Sequence, residues 1–172
     1  SKRIQKSKLP HMAEVFAALP QCFILFKPKD IVSGDFYFFQ YKNNRAFIPA
    51  ADCTGHGVPG SLMSMICSEK LNDALAQSNN VSDILSLTNK GIKTSLRQTG
   101  SDESTRDGMD IAFCALNLYG KTVEYAGANR PLWIIKKDRN DVEELKATKK
   151  AIGGLTEEDQ HFEAHKLNLQ EG

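Results

Sequence analysis

Several features are missing from this 172-residue chain, and each absence removes a class of protein. No stretch approaches the roughly 18 consecutive apolar residues that a membrane span requires. No charged segment followed by an apolar run opens the chain, so we expect no export signal. The formal net charge is only +1 and no basic stripe is present, which argues against nucleic-acid binding. We therefore expect a cytoplasmic protein that binds neither membranes nor nucleic acids through this segment.

The motifs of two common catalytic strategies are also absent. The chain has no G-x-S-x-G nucleophile motif and no GxxxxGK[ST] phosphate-binding loop. Covalent serine catalysis and nucleotide hydrolysis therefore rank low. No C-x-x-C spacing occurs, which argues against a structural zinc site. The cysteines are expected to be reduced, buried thiols; they are Cys22, Cys53, Cys67 and Cys114.

The chain does have the composition of a globular protein, with 41% hydrophobic and 25% charged residues. Its length suits one domain with a core of its own. Pro10 ends a polar, helical segment at the start of the chain. We therefore divide the chain into an N-terminal linker or switch helix region, residues 1–19, and one domain, residues 20–172.

The hydrophobic pattern predicts two adjacent amphipathic helices with strands before and after them. The first helix starts near Pro59, and the second starts at about Ser82, whose side chain suits an N-cap. This order predicts an α+β layered sandwich with both helices on one face of a sheet. The predicted strands are Cys22–Lys27, Val32–Tyr41 and Arg45–Cys53, then a β-meander of Met109–Leu118, Thr122–Ala126 and Leu132–Lys136, and weaker strands around Val142–Lys146 and His161–Leu169.

A predicted hairpin brings two carboxylates together. Its turn is at Asn43-Asn44, so it pairs residues whose numbers sum to 87, as those of Asp35 and Asp52 do. Directly opposed side chains have Cβ atoms roughly 4.5–5.5 Å apart, and like charges placed there are destabilising. A bound divalent cation would remove that conflict, because carboxylate oxygens are the ligands that Mg²⁺ and Mn²⁺ prefer. Either residue alone is also compatible with an ordinary acid near a turn, and a bulge would shift the register by one.

Other polar residues near this hairpin have two interpretations each. His56, in the loop Gly55-His56-Gly57, is either a proton donor to a leaving oxygen or a loop histidine bonded to backbone. Asp107 and Asp110 either reach the same cleft or end a loop. Arg130 either binds phosphate as a planar fork or belongs to a simple turn between strands.

Three segments together resemble a known family. They are VSGDFYFF, ADCTGHGVPGSLMSM and DGMDIAFCALNLYGKTVEYAGANRPLWII. They are similar to the metal-dependent PPM protein serine/threonine phosphatases, in particular the bacterial SpoIIE-like branch that regulates sigma factors. The resemblance implies an αββα sandwich, in which two antiparallel sheets are flanked by helices. It also implies a cleft that holds two Mn²⁺ or Mg²⁺ ions and a water that attacks phosphoserine or phosphothreonine.

The resemblance also assigns roles to individual residues. Asp35 would bind one ion, Asp52 would bridge both ions, and the backbone carbonyl of Cys53 would be a further ligand. From its loop context and not from the resemblance, His56 joins Asp35 and Asp52 as an expected catalytic residue. No other cofactor is implied. The family's T-D-G and later D-D-x-T motifs are absent from this sequence, so the domain is expected to be incomplete at its C-terminus, and the polypeptide itself to bind metal weakly and to be inactive.

The expected function is that of an output domain in a bacterial signal-transduction protein. By resemblance, the substrate would be a phosphorylated regulatory protein of the anti-sigma-factor antagonist type, and an upstream sensor domain would control the activity. An incomplete sheet exposes a strand edge, so a homodimer is also expected. The alternative is a catalytically inactive phosphatase-like module that binds a partner and transmits a signal through the N-terminal helix.

Overall fold

The computed structural model describes residues 2–100 and 104–170. Four helices and nine strands occur in these two ranges. The helices are α1 (Lys2–Lys6), α2 (Met12–Ala18), α3 (Gly57–Gln77) and α4 (Val81–Ser95). The strands are β1 (Asp35–Tyr37), β2 (Gln40–Lys42), β3 (Arg45–Cys53), β4 (Gly108–Asn117), β5 (Thr122–Ala128), β6 (Leu132–Ile135), β7 (Val142–Leu145), β8 (Ile152–Gly153) and β9 (Ala164–Asn168).

An antiparallel sheet in the order β1-β3-β4-β5-β9 forms the centre of the structure, with β2 also paired to β3 and β8 to β4. Strands β6 and β7 form a separate two-stranded sheet. The predicted meander is therefore wrong at its third strand. Strand β6 does not pair with β5, because β9 occupies the free edge of β5.

The two long helices pack against each other and against one face of the central sheet, as the sequence predicted. Phe47 on β3 and Phe113 on β4 are fully buried under them, with ring centroids 6.1 Å apart. Along β3, Ala51 and Cys53 are buried, whereas Asp52 between them is exposed. Because side chains alternate along a strand, Asp52 lies on the sheet face opposite the helices.

Helix α4 begins one residue earlier than predicted, and its N-cap is Asn80 rather than Ser82. The Asn80 side chain accepts hydrogen bonds from the backbone N–H groups of Ser82 and Asp83, at 2.9 and 3.1 Å. The Ser82 hydroxyl instead donates to the carbonyl of Phe162. Both residue types can cap a helix, so the choice depends on this tertiary contact.

The predicted strand Cys22–Lys27 is not a strand. Its apolar composition favoured one, but a strand also needs a neighbour for its backbone hydrogen bonds, and no pairing within the described ranges includes it. Phe23 and Leu25 are 89% and 77% exposed. The next predicted strand, Val32–Tyr41, begins only at Asp35 and is interrupted between β1 and β2.

The side chain of Gln5 in the N-terminal helix hydrogen-bonds to the domain. Gln5 accepts a hydrogen bond from the Ser33 backbone N–H at 2.9 Å and donates to the Ser64 hydroxyl at 3.0 Å. The Ser33 hydroxyl in turn accepts from the Asp35 backbone N–H at 3.0 Å. Helix α1 is thereby linked to the start of β1. No helix within the described ranges is long and apolar enough to cross a membrane.

Candidate metal centre

Asp35 and Asp52 are directly opposed in the β1–β3 pair, which confirms the predicted register. Asn43 and Asn44 form the turn with φ values of 53° and 60°, the left-handed conformation that a two-residue hairpin turn of type I′ requires. The same register continues in the β2–β3 pair, where Gln40 opposes Phe47. No bulge shifts it. The turn therefore determines that the two carboxylates face each other.

A third carboxylate extends this row. Asp110 on β4 is directly opposed to Asp52 on β3. Because directly opposed residues share a sheet face, Asp35, Asp52 and Asp110 lie side by side across three neighbouring strands. The sequence allowed two interpretations of Asp110, as a residue of the cleft or as the end of a loop. The structure places it in the cleft.

Arg130 brings a positive charge to this row. Its guanidinium forms an ion pair with Asp52, and its Nε lies 3.8 Å from an oxygen of Asp110. The Asn129 side chain donates a hydrogen bond to Asp110 at 2.8 Å. Asn129 is in the left-handed conformation, with a φ of 59°, and the buried Tyr125 hydroxyl donates to the Arg130 carbonyl at 2.5 Å. The hydrogen bond from Tyr125 thus holds the turn in place. Arg130 is part of this turn, and its side chain also reaches the carboxylates.

The electrostatics of the pair favour a cation. Burial and the adjacent charge of Asp52 raise the pKa of Asp35 above its usual value, while Arg130 acts in the opposite direction. A carboxyl whose folded-state pKa is raised loses folding stability as the pH rises through that pKa. Ionisation of Asp35 therefore costs stability, and an additional positive charge between the two carboxylates would recover it.

The residues present fit a hard divalent ion, although not as a closed cage. Within the two described ranges, no group of three or more His, Cys, Asp or Glu side chains is arranged to hold a metal. Mg²⁺, however, commonly keeps several waters and is bound through only one or two carboxylates. Asp35 and Asp52 supply that number. Two opposed carboxylates, with the pKa of Asp35 raised, are the donor chemistry that such an ion would satisfy.

Three glycines determine how the loop after β3 approaches β1 and helix α3. A Cβ atom at Gly34 would lie 2.6 Å from the Gly55 carbonyl oxygen, and one at Gly60 would overlap that same oxygen. Gly55 itself has a φ of +86°. Only glycine fits this close approach of backbones. The packing fixes the loop that follows Asp52 against the residue that precedes Asp35.

His56 lies in this loop, and Cys53 directly precedes it at the end of β3. The His56 side chain is 76% exposed, and its Nδ1 lies 3.4 Å from Asp30 Oδ2. It does not line the cleft that contains Asp52. The Cys53 thiol is buried on the helix side of the sheet, where contact with Cys67 and burial raise its pKa. The described cysteines are free thiols, as expected, but Cys22 and Cys114 are only partly buried.

A cleft of about 610 Å³ opens beside Asp52 and Asp110. One wall of the cleft consists of residues 149–156, with the exception of Ile152. The other wall consists of the start of β4 and Arg106, which lies shortly before it. Sequence reasoning missed this wall, because the only local signal was the Gly153-Gly154 pair in an irregular segment. The cleft is open enough to admit a protein side chain and its neighbouring backbone.

This architecture is that of PP2C phosphatase domains. The chain superimposes on the SiaA-PP2C domain of Pseudomonas aeruginosa with a TM-score of 0.80 and 28% sequence identity, over 98% of this chain and 64% of that chain. It also superimposes on the structure of the PP2C phosphatase domain and part of the regulatory domain of SpoIIE from Bacillus subtilis. There the TM-score is 0.61 and the identity 20%, over 81% of this chain and 38% of that chain.

A further match is RsbX in complex with magnesium, with a TM-score of 0.64 and 14% identity over 87% of this chain and 67% of that chain. The predicted fold class is therefore confirmed. The family model of stage II sporulation protein E (SpoIIE) matches residues 42–172, and the chain belongs to this family. No individual curated protein matches it significantly. The chain spans about two thirds or less of the length of these structures.

Proposed function

We propose that this chain provides the metal-binding part of a divalent-metal-dependent protein serine/threonine phosphatase, the output domain of a bacterial signalling protein. The observation that carries the proposal is the direct opposition of Asp35 and Asp52 on an open sheet face. Membership of the SpoIIE family supports it. The substrate would be a phosphoserine or phosphothreonine in a small regulatory protein of the anti-sigma-factor antagonist type.

The residues of the chain have distinct roles in this proposal. Asp35, Asp52 and the Cys53 carbonyl would hold Mn²⁺ or Mg²⁺, two ions in the complete site. When bound, such ions lower the pKa of coordinated water and neutralise charge on the attacking and leaving oxygens. His56 would donate a proton to the serine or threonine oxygen as the bond from phosphorus to that oxygen breaks. Its imidazole is 76% exposed and lies 3.4 Å from Asp30, outside the cleft, so a substrate would have to reach over the loop to meet it.

The test is a calorimetric titration of Mn²⁺ into this chain, together with a phosphopeptide hydrolysis assay of the full-length protein. We expect saturable Mn²⁺ binding and a raised melting temperature, because a cation relieves the repulsion between Asp35 and Asp52. Turnover should stop on chelation and return with added Mn²⁺. Absence of both binding and metal-dependent turnover would refute the proposal.

Arg130 should weaken metal binding, because its guanidinium already pairs with Asp52 and an incoming cation must displace it. Both groups are about half exposed, so the pair is worth only about 0.2–1 kcal/mol. Arg130→Ala should therefore tighten Mn²⁺ binding roughly two- to five-fold. Calorimetry of the purified variant measures this change.

Arg106→Ala is the matched control, since Arg106 lines the cleft beside Asp52 but forms no ion pair with Asp52 among the described residues. It should leave Mn²⁺ affinity within about a factor of two, as exposed charges at a distance are largely screened. Unchanged or weaker Mn²⁺ binding by Arg130→Ala would show that the ion does not compete with the guanidinium.

The second candidate is a phosphatase-like module that binds a partner without turnover. The hydrogen bonds that Gln5 accepts from the Ser33 N–H and that Ser33 accepts from the Asp35 N–H favour it, because they connect the N-terminal helix to the carboxylate strand. Both candidates allow that helix to act as a switch region between an upstream sensor and this domain. Metal-dependent turnover separates them, since only the phosphatase shows it. Homodimer formation stays a prediction under both.

A further inference from the structure

The cleft beside Asp52 has a basic rim, which we define as Arg106, Lys149 and Lys150. All three side chains are exposed. In the part of the chain that the structure describes, no carboxylate forms an ion pair with any of them. Other exposed cations do pair with acids, as Lys136 does with Glu143 and Arg139 with Asp141. The rim thus presents three available positive charges at the mouth of the candidate site.

The backbone under the rim is held by buried amide side chains. Asn89 is fully buried, accepts a hydrogen bond from the Gly153 N–H at 2.8 Å and donates to the Glu157 carbonyl at 2.8 Å. Gln98 is 6% exposed and accepts from the Gly154 N–H at 2.8 Å. Burying such groups is favourable only when they are hydrogen-bonded, so this wall has a fixed shape.

Both ends of the rim are joined to the carboxylate row. Gln98 also donates to the Asp107 carbonyl at 2.6 Å, which fixes the residue after Arg106. Thr148, directly before Lys149, exchanges backbone hydrogen bonds with the turn that carries Arg130: its N–H donates to Gly127 at 3.0 Å and its carbonyl accepts from Asn129 at 2.9 Å. The distance between the rim and the carboxylates is therefore set by the sheet and is not left to a free loop.

We propose that the basic rim is a docking surface for acidic residues that flank the phosphorylated serine or threonine of the substrate. This inference rests on the proposed function and names the chemistry of its substrate. A segment whose phosphate enters the cleft at Asp52 places its neighbouring residues over the rim, where carboxylates meet three cations. Nucleic acid is a poorer fit, because the residues that line the cleft include no aromatic side chain on which a base can stack.

The test uses this chain with Mn²⁺ and three fluorescent phosphoserine peptides, flanked by glutamates, by alanines or by lysines. Anisotropy should show that the glutamate-flanked peptide binds most tightly and that its advantage declines with added salt. Lys149→Glu with Lys150→Glu should weaken its binding roughly ten-fold, because two attractions become two repulsions. The alanine-flanked peptide should change by less than about two-fold, since it places no charge on the rim.

The matched control is Lys137→Glu with Lys146→Glu. These lysines are exposed near the β6–β7 sheet, line no part of the cleft, and produce the same change in net charge. An equal loss in both double variants, equal affinity for the glutamate and alanine peptides, or equally effective displacement by an oligonucleotide would overturn the docking surface.

The same titrations separate the two proposals. Mn²⁺-dependent peptide binding without a preference for acidic flanks would leave the phosphatase assignment intact and refute the rim. A preference for acidic flanks that ignores both Mn²⁺ and the phosphate would support the rim and count against the phosphatase.

Discussion

Asp52→Asn is expected to abolish metal-dependent function. Asp52 lies between Asp35 and Asp110 in the row of carboxylates, so it is the residue best placed to share an ion with a neighbour on either side. Asparagine keeps the size and one acceptor oxygen but removes the charge. Even changes to groups that only support metal ligands lower affinity about 10- to 100-fold. We expect at least that loss in Mn²⁺ affinity by calorimetry, with loss of phosphopeptide hydrolysis in the full-length protein.

Asp138→Asn provides the control, because Asp138 is an exposed carboxylate between β6 and β7, outside the cleft. It should bind Mn²⁺ as the unmodified chain does. Without metal, Asp52→Asn should melt close to the parent chain, since it removes both the repulsion from Asp35 and the ion pair with Arg130. Retained Mn²⁺ affinity in a folded Asp52→Asn variant would remove the basis for the proposed site.

The Asp35–Asp52 pair could be predicted from the sequence because its geometry is local. Two asparagines in the left-handed conformation close the hairpin, and the register then follows from residue numbers alone. The opposition of Asp52 and Asp110 depends instead on a pairing between β3 and β4, which are separated by both long helices. No turn fixes that register, so the sequence could not place Asp110.

Tertiary contacts also explain the secondary-structure errors. Segment 22–27 has the composition of a strand but lacks a partner, and the third strand of the predicted meander was displaced because β9 pairs with β5. The position of Arg130 could not be predicted from the sequence either, because it depends on the hydrogen bond from the Tyr125 hydroxyl to the turn. Composition and periodicity indicate which secondary structures a segment can adopt. Strand pairing in the folded protein then selects among structures of similar local free energy.

Gly60→Ala should destabilise the protein and weaken metal binding together. The new Cβ would overlap the Gly55 carbonyl oxygen and lie 2.7 Å from its carbon, and both are backbone atoms that cannot rotate away. It would also lie 3.2 Å from Gly34 Cα. Overpacking of this kind costs about 1–3 kcal/mol. We expect a loss in that range in chemical denaturation.

Gly91→Ala is the matched control, since it makes the same change inside helix α4. There the nearest atoms to the new Cβ belong to the flexible Lys70 side chain, at 3.2 Å. Alanine is favoured over glycine in a helix by about 0.5–1 kcal/mol, so this variant should be as stable as the parent or more stable. Its Mn²⁺ affinity should not change.

Mn²⁺ titration of Gly60→Ala distinguishes a loss of overall stability from a displacement of the metal-binding carboxylates. Gly34 and Gly55 lie directly before Asp35 and shortly after Asp52, so we expect relief of the Gly60 overlap to move at least one of the strand ends that carry the carboxylates. Titrations at a temperature where Gly60→Ala remains folded should therefore show weaker Mn²⁺ binding. Unchanged affinity in that folded variant would mean that the carboxylate positions depend on the hairpin alone and not on the glycine packing between β1, the loop and α3.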